Sequence, residues 1–311
     1  MKSVFSLPPR RETTLVLGIS TVFILLNAYF IGFRIEHIVL MSVFYILFFP
    51  SNKSRKLAVA LLPFAVYGIS YDWMRLYPNY MVNPIDVENL YNLEKHLFGI
   101  HLDGMILTPC EYFAQHTSAV ADFLSGIFYL GWVPIPMLFG VYLYLLKDRN
   151  IYLRFVIAFL LVNWIGFAGY YLHPAAPPWY VMDYGFEPIL NTQGSAAGLI
   201  RFDELVGIPI FSNLYERNSN VFAALPSLHS AYLVIAFYYA LKKKCHPAIT
   251  VTIGIFMAGI WFTAVYSCHH YIIDVLSGTL CALIGIGFFE YVLMKLPHFK
   301  AFFNRYFDYI K

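Results

Sequence analysis

The stretch Tyr266–Gly278, YSCHHYIIDVLSG, places two adjacent histidines and an aspartate at the opening of a run that is otherwise apolar through Met294. A bilayer core about 30 Å thick is crossed by roughly 20 apolar residues, and 271–294 has that length. Ionisable groups in such a helix are costly, by about 2.5–3.5 kcal/mol each at its centre and less near an end. His269, His270 and Asp274 kept at such a cost mark a site as well as a span.

Working outward from that helix, the whole chain reads as membrane-embedded. Of 311 residues, 59% are hydrophobic and 13% charged, against about 25% charged in an ordinary soluble domain. The expected fold class is therefore all-α, a polytopic membrane helix bundle, with spans at 14–33, 36–51, 56–72, 119–146, 151–172, 228–242, 247–267 and 271–294. The first apolar run is long and followed by further spans, so it reads as a span and not a cleavable signal.

Basic residues collect on the cytoplasmic side of membrane proteins. With eight spans and both termini inside, 16 of the 21 lysines and arginines, Lys2 among them, fall on the inner face. Arg34, Arg75, Lys95, Arg201 and Arg217 remain outside. One helix more or fewer would destroy this alternation. The expected organisation is a single domain over 1–311. Three N-terminal helices occupy 14–72, an extracytoplasmic segment 73–118, and the catalytic helices 119–294, which include an extracytoplasmic loop at 173–227.

In the first outer segment, Val87, Leu90, Leu93 and Leu97 have the spacing of an amphipathic helix, lying on the membrane surface or simply connecting. Trp73, Tyr77, Tyr80, Trp179, Tyr180 and Tyr184 fall where an interfacial aromatic belt belongs. The four cysteines lack metal-ligand and CxxC spacing, and only Cys110 and Cys268 share the outer side, so no disulfide framework is expected.

On this topology the ionisable residues converge at the outer face. Tyr71, Asp72 and Arg75 close the third helix, His173 closes the fifth within HPAAPPWY (173–180), His229 opens the sixth within FAALPSLHSAY (222–232), and His270 and Asp274 open the eighth. His270 and Asp274 are four apart and share a helical face. The carboxylate can hold one imidazole nitrogen protonated and leave the other free as a nucleophile, while His229 has the acidity of a proton donor and acceptor near neutrality. Plainer readings compete: helix capping, a structural ion pair, or a zinc or iron site. The HxxxH and HxxHH boxes of membrane di-iron enzymes are absent, and Ser227, two before His229, lacks the GxSxG setting of a serine hydrolase.

PSLH at 226–229 and HHYIID at 269–274 resemble the motifs of the type-2 phosphatidic acid phosphatase superfamily. The resemblance implies that six of the helices form a phosphatase-type core. It also implies that His270 is the nucleophile, Asp274 its partner and His229 the proton donor. The family's glycine before the first histidine is Leu228 here, its SR pair is Thr263 and Ala264, and its KxxxxxxRP motif has no counterpart. Over roughly 71–278, the stretches YDWMR, LFGIHLDG, TPCEYF, HPAAPPWY, GSAAGLIRFD and LPSLHS are similar to the inositol phosphorylceramide synthase branch of fungi and its bacterial relatives. That branch implies transfer of a phosphoinositol head group from a phospholipid donor to a ceramide-type acceptor through a phosphohistidine. A lipid phosphatase or other head-group hydrolase, a sphingomyelin or ceramide phosphoethanolamine synthase, and a non-catalytic lipid transporter or scaffold are the alternatives. A phosphodiester carries one charge where a monoester carries nearly two, so the missing family cations suit a diester.

Arg75 is then the expected phosphate clamp, unless Asp72 claims it as an ion pair. Tyr71, Asp72, His173, Ser227, His269, Trp179 and Tyr180 are the further substrate-binding candidates. No metal and no cofactor is expected, and neither a nucleic acid nor a protein partner is implied beyond the lipids and the bilayer. The compact loops favour a bacterial inner membrane over a Golgi membrane.

Overall fold

The computed structural model describes residues 6–32, 34–216 and 220–311; Lys2 and Arg217 of the charge pattern lie outside them. In chain order the helices are α1 (Arg10–Phe30), α2 (Ile35–Phe48), α3 (Asn52–Ala60), α4 (Leu62–Trp73), α5 (Glu88–Phe98), α6 (Pro109–Gln115), α7 (Ala119–Leu130), α8 (Pro134–Leu145), α9 (Arg149–Leu172), α10 (Pro178–Tyr184), α11 (Ile200–Val206), α12 (Ile210–Tyr215), α13 (Leu228–Lys243), α14 (Pro247–Tyr266), α15 (Ile272–Gly287) and α16 (Pro297–Ile310). A short hairpin, β1 (Ile100–Leu102) with β2 (Met105–Leu107), follows α5.

A helix or bent helix pair stands at each of the eight expected span positions. Four are long and apolar enough to cross a membrane alone: α1, α9, α14 and Ile272–Lys295, which continues α15. The count reaches six if α3–α4, bent by 42°, and α7–α8, bent by 44°, are each one span. Pro63 and Pro134 sit in the first turn after the two bends, where a missing N–H leaves the preceding turn unbonded. The remaining two, α2 with 14 residues and α13 with 16, reach only about 21 and 24 Å at 1.5 Å per residue. Among the described residues, four to six helices or helix pairs are therefore long and apolar enough to cross a membrane, short of the eight expected.

At the centre, α13 is buried along most of its length and packs between α9, α14 and α15. Small residues set these crossings. A Cβ on Gly278 of α15 would lie 1.9 Å from the Ser227 carbonyl oxygen and 2.5 Å from Ser230 Oγ, and one on Gly166 of α9 would lie 2.5 Å from Leu228. Ser230 Oγ donates to the Ser227 carbonyl at 2.7 Å and approaches the Val275 carbonyl at 3.2 Å. The helices that carry His229 and Asp274 are thus fixed to one another at backbone distance. Gly278→Ala is expected to force them apart, with a destabilisation of about 1–3 kcal/mol as for other over-packed cores. A lowered melting temperature in detergent together with reduced turnover would bear this out, and an unchanged melt would contradict it.

The outer segments close over this end of the bundle. Asp86 and Ala223 flank Ala175 in parallel bridges, so the segments before α5, after α9 and before α13 share backbone hydrogen bonds. The loop 173–227 is also tied to the turn before α15: the N–H groups of Trp179 and Gly198 donate to the carbonyls of Cys268 and Ser267 at 3.0 and 2.9 Å.

Two expectations need correction. Trp179 and Tyr180 are buried and belong to the wall of the fold, not to an interfacial belt. In α5 the buried stripe is Val87, Leu90 and Glu94, while Leu93 and Leu97 are exposed; the inward face carries a carboxylate that the leucine spacing does not reveal. Cys110 and Cys268 do meet, with Cys268 Sγ 3.3 Å from the Cys110 carbonyl, as free thiols.

Candidate active site

Helix starts bring the three motif residues together. Ser227 caps α13, its hydroxyl accepting from the Ser230 N–H at 3.4 Å, and its own N–H donates to the Asp274 carbonyl at 3.0 Å. His229 therefore leaves the first turn of α13 facing the first turn of α15. His229 Nδ1 lies 3.0 Å from His270 Nε2, across 41 residues of sequence. Behind His270, Asp274 Oδ2 is 3.4 Å from Nδ1 and accepts the Tyr271 N–H at 2.9 Å. His229 Nδ1 also sits 3.2 Å from the Tyr129 hydroxyl, and the Trp132 ring meets His229 edge-on, centroids 4.4 Å apart.

The free N–H groups of a helix start need partners when buried. Asp274 serves Tyr271, and Glu94 of α5 serves the next two: its oxygens accept the Ile272 and Ile273 N–H groups at 2.8 and 3.1 Å. Glu94 has no exposed surface. Burial pushes its carboxyl up to about 7, against the pull of the two backbone donors. Sequence reasoning missed this residue; the signal was a carboxylate in register with Val87 and Leu90. Glu94→Gln keeps the size but points an amide NH₂ at one of the two donors. A destabilisation of about 1–3 kcal/mol is expected, with kcat falling more than KM rises. Melting in detergent and steady-state kinetics would measure both, and wild-type values would remove Glu94 from the account.

The imidazoles face a cavity of about 60 Å³ lined by His229, His269, His270, Tyr129, Tyr215, Trp179, Pro177, Ser195, Asn220, Val221, Ala223 and Ala224. This is space on the scale of a phosphoryl group, walled mainly by aromatic and small apolar side chains. Among the described residues, no lysine or arginine lines it. Burial holds the His270 imidazole down at about 4, so the ring is neutral and its lone pair available at physiological pH. Among the described residues, no group of three or more His, Cys, Asp or Glu side chains is placed to hold a metal ion.

The other candidates divide. His269 and Trp179 line the cavity. Arg75 does not: its Nε is 3.1 Å from Asp72 Oδ1, and Asp72 also binds Arg34 at 2.8 Å and His37 at 3.1 Å. This ion cluster ties the end of α4 to the start of α2, so Arg75 is engaged structurally and not as a clamp. Tyr71 packs on Phe167. Half-exposed His173 pairs with Asp86 at 3.0 Å, Ser227 is a helix cap, and the Tyr180 hydroxyl donates to the Glu187 carbonyl while accepting the Ile189 N–H. None of these lines the cavity. Tyr129, Tyr215 and Asn220 line it without having been expected.

Residues 96–288 match the family model described as the PAP2 superfamily. The chain is 60% identical over 305 residues to the phosphoinositol dihydroceramide synthase of Bacteroides thetaiotaomicron, covering 98% of this chain and 100% of that protein. It is 26% identical over 243 residues to the inositol phosphorylceramide synthase catalytic subunit of Saccharomyces cerevisiae, covering 78% of this chain and 58% of the yeast protein. It is likewise 26% identical over 235 residues to the inositol phosphorylceramide synthase of Candida albicans, covering 71% and 47%. No solved structure matches the chain significantly.

Proposed function

The chain belongs to the PAP2 superfamily, and from that premise we propose that it is an integral-membrane phosphotransferase moving a phosphoinositol head group from a glycerophospholipid to a ceramide hydroxyl. The observation that carries the chemistry is the 3.0 Å approach of His229 to His270, with Asp274 behind. The names of the relatives supply the substrate class.

In this reading His270 Nε2 attacks the phosphorus of the donor. The bond from phosphorus to the diacylglycerol oxygen breaks, and His229 gives that oxygen a proton. Asp274 stabilises the positive charge that develops on His270. The head group is left as a phosphohistidine diester. The ceramide hydroxyl then enters, gives its proton to His229 and attacks phosphorus, and the N–P bond breaks, which frees the His270 imidazole and returns His229 to the protonated form in which it began the cycle. The phosphoryl group must displace the contact between the two rings, which places it between nucleophile and proton donor. The aromatic wall favours a lipid hydroxyl over water as acceptor.

Read with eight spans, the basic residues support a cytoplasmic location for both termini and an extracytoplasmic site, and the bacterial relative supports a bacterial inner membrane. Purified protein given labelled phosphatidylinositol and a ceramide should yield labelled inositol phosphorylceramide and diacylglycerol, at a rate unchanged by a chelator. Release of free inositol phosphate as the main product would instead support a hydrolase, and activity lost to the chelator would revive a metal site.

A further inference from the structure

We propose that His269 reads the head group through a hydrogen bond between Nε2 and one of its hydroxyls; this rests on the function proposed above and names what selects the donor. His269 is 4% exposed and lines the cavity. Its Nε2 is buried without a hydrogen-bond partner, although such atoms are almost always satisfied. The ring is also held still. The Tyr129 and Tyr215 rings lie nearly parallel to it, centroids 5.5 and 4.4 Å away and planes within 13° and 14°.

Burial, with the His270 and His229 rings nearby, disfavours a second proton on the ring, so one nitrogen carries a proton and the other a lone pair. A hydroxyl can both donate and accept, and so satisfies Nε2 in either tautomer; a polyol head group offers several hydroxyls beside the phosphorus. A ceramide also carries hydroxyl and amide groups, and the KM for ceramide separates the two lipids in the test below.

The test compares phosphatidylinositol with phosphatidylmethanol, whose head group has no hydroxyl, as donors for the full-length protein in detergent. His269→Phe keeps a flat ring beside the two tyrosines and removes the polar nitrogen. It should raise KM for phosphatidylinositol by about 10- to 100-fold, the range for one unmade buried hydrogen bond, shift the ratio of kcat/KM for the two donors towards phosphatidylmethanol by the same factor, and leave the KM for ceramide where it was. His269→Gln, which can return a carbonyl oxygen near the Nε2 position, should recover part of the preference. Equal losses with both donors, a preference retained by His269→Phe, or a raised KM for ceramide would each overturn the inference. If His269→Phe does not fold, His269→Gln against His269→Met gives the same contrast. A wild type unable to use phosphatidylinositol would overturn the functional reading and this inference with it. A wild type that uses it beside a His269→Phe protein that still prefers it would overturn this inference alone.

Discussion

His270→Ala should abolish transfer, lowering kcat by about 10⁴-fold or more, as expected when the nucleophile of a covalent route is removed. His270 is buried at the turn between α14 and α15, with Nε2 toward the cavity and Nδ1 toward Asp274. An alanine there leaves no group in place to attack phosphorus. The side chain makes few structural bonds, and its Nδ1 has no hydrogen-bond partner within normal range, so the variant should fold. Labelled phosphatidylinositol supplied without acceptor should leave label on the wild-type protein and none on the variant. Substantial turnover by His270→Ala would remove it as nucleophile.

His229→Ala should be slower by about 10²- to 10⁴-fold, the usual worth of a positioned proton donor, and the loss should depend on the leaving group. The natural donor expels an alkoxide-like oxygen that needs a proton. A donor analogue with a p-nitrophenolate leaving group does not. With the analogue, His229→Ala should release a burst of nitrophenol as the phosphoenzyme forms, then stall, because the incoming hydroxyl still lacks a base. Rapid-mixing absorbance measures the burst. Equal impairment with both donors would mean that His229 positions the phosphate and does not move protons.

The site was legible in the sequence to the extent that its chemistry lies in ionisable residues out of place in a membrane. His229, His270 and Asp274 are conspicuous because apolar helices rarely carry them, and the alternation of lysines and arginines puts them on one face. Their companions left weaker traces. Tyr129 lies 100 residues before His229 in an aromatic-rich helix where one tyrosine resembles another. Tyr215 and Asn220 come from a loop whose path is set by tertiary contacts, including the bridge between Ala175 and Ala223. At Arg75 the sequence left two readings, a phosphate clamp or an ion pair with Asp72, and the structure has the pair, with Asp72 also binding Arg34 and His37. Glu94 shares the stripe of Val87 and Leu90, but the sequence does not show that it faces the N–H groups of Ile272 and Ile273, 178 and 179 residues on.

Two spans were legible as short ones: the apolar runs 36–51 and 228–242 stand as α2 with 14 residues and α13 with 16. The shortness of α13 has a local reason at its start. Pro226 precedes the Ser227 cap, and the helix begins where His229 must face α15.

The most direct measurement is the stereochemical course at phosphorus, with a phosphatidylinositol donor carrying one sulfur in place of a non-bridging oxygen and of known configuration. Attack by His270 followed by attack of the ceramide hydroxyl inverts the centre twice, so the product should show net retention. Net inversion would mean that the two lipids react directly in one displacement, and the covalent histidine at the centre of this account would be wrong.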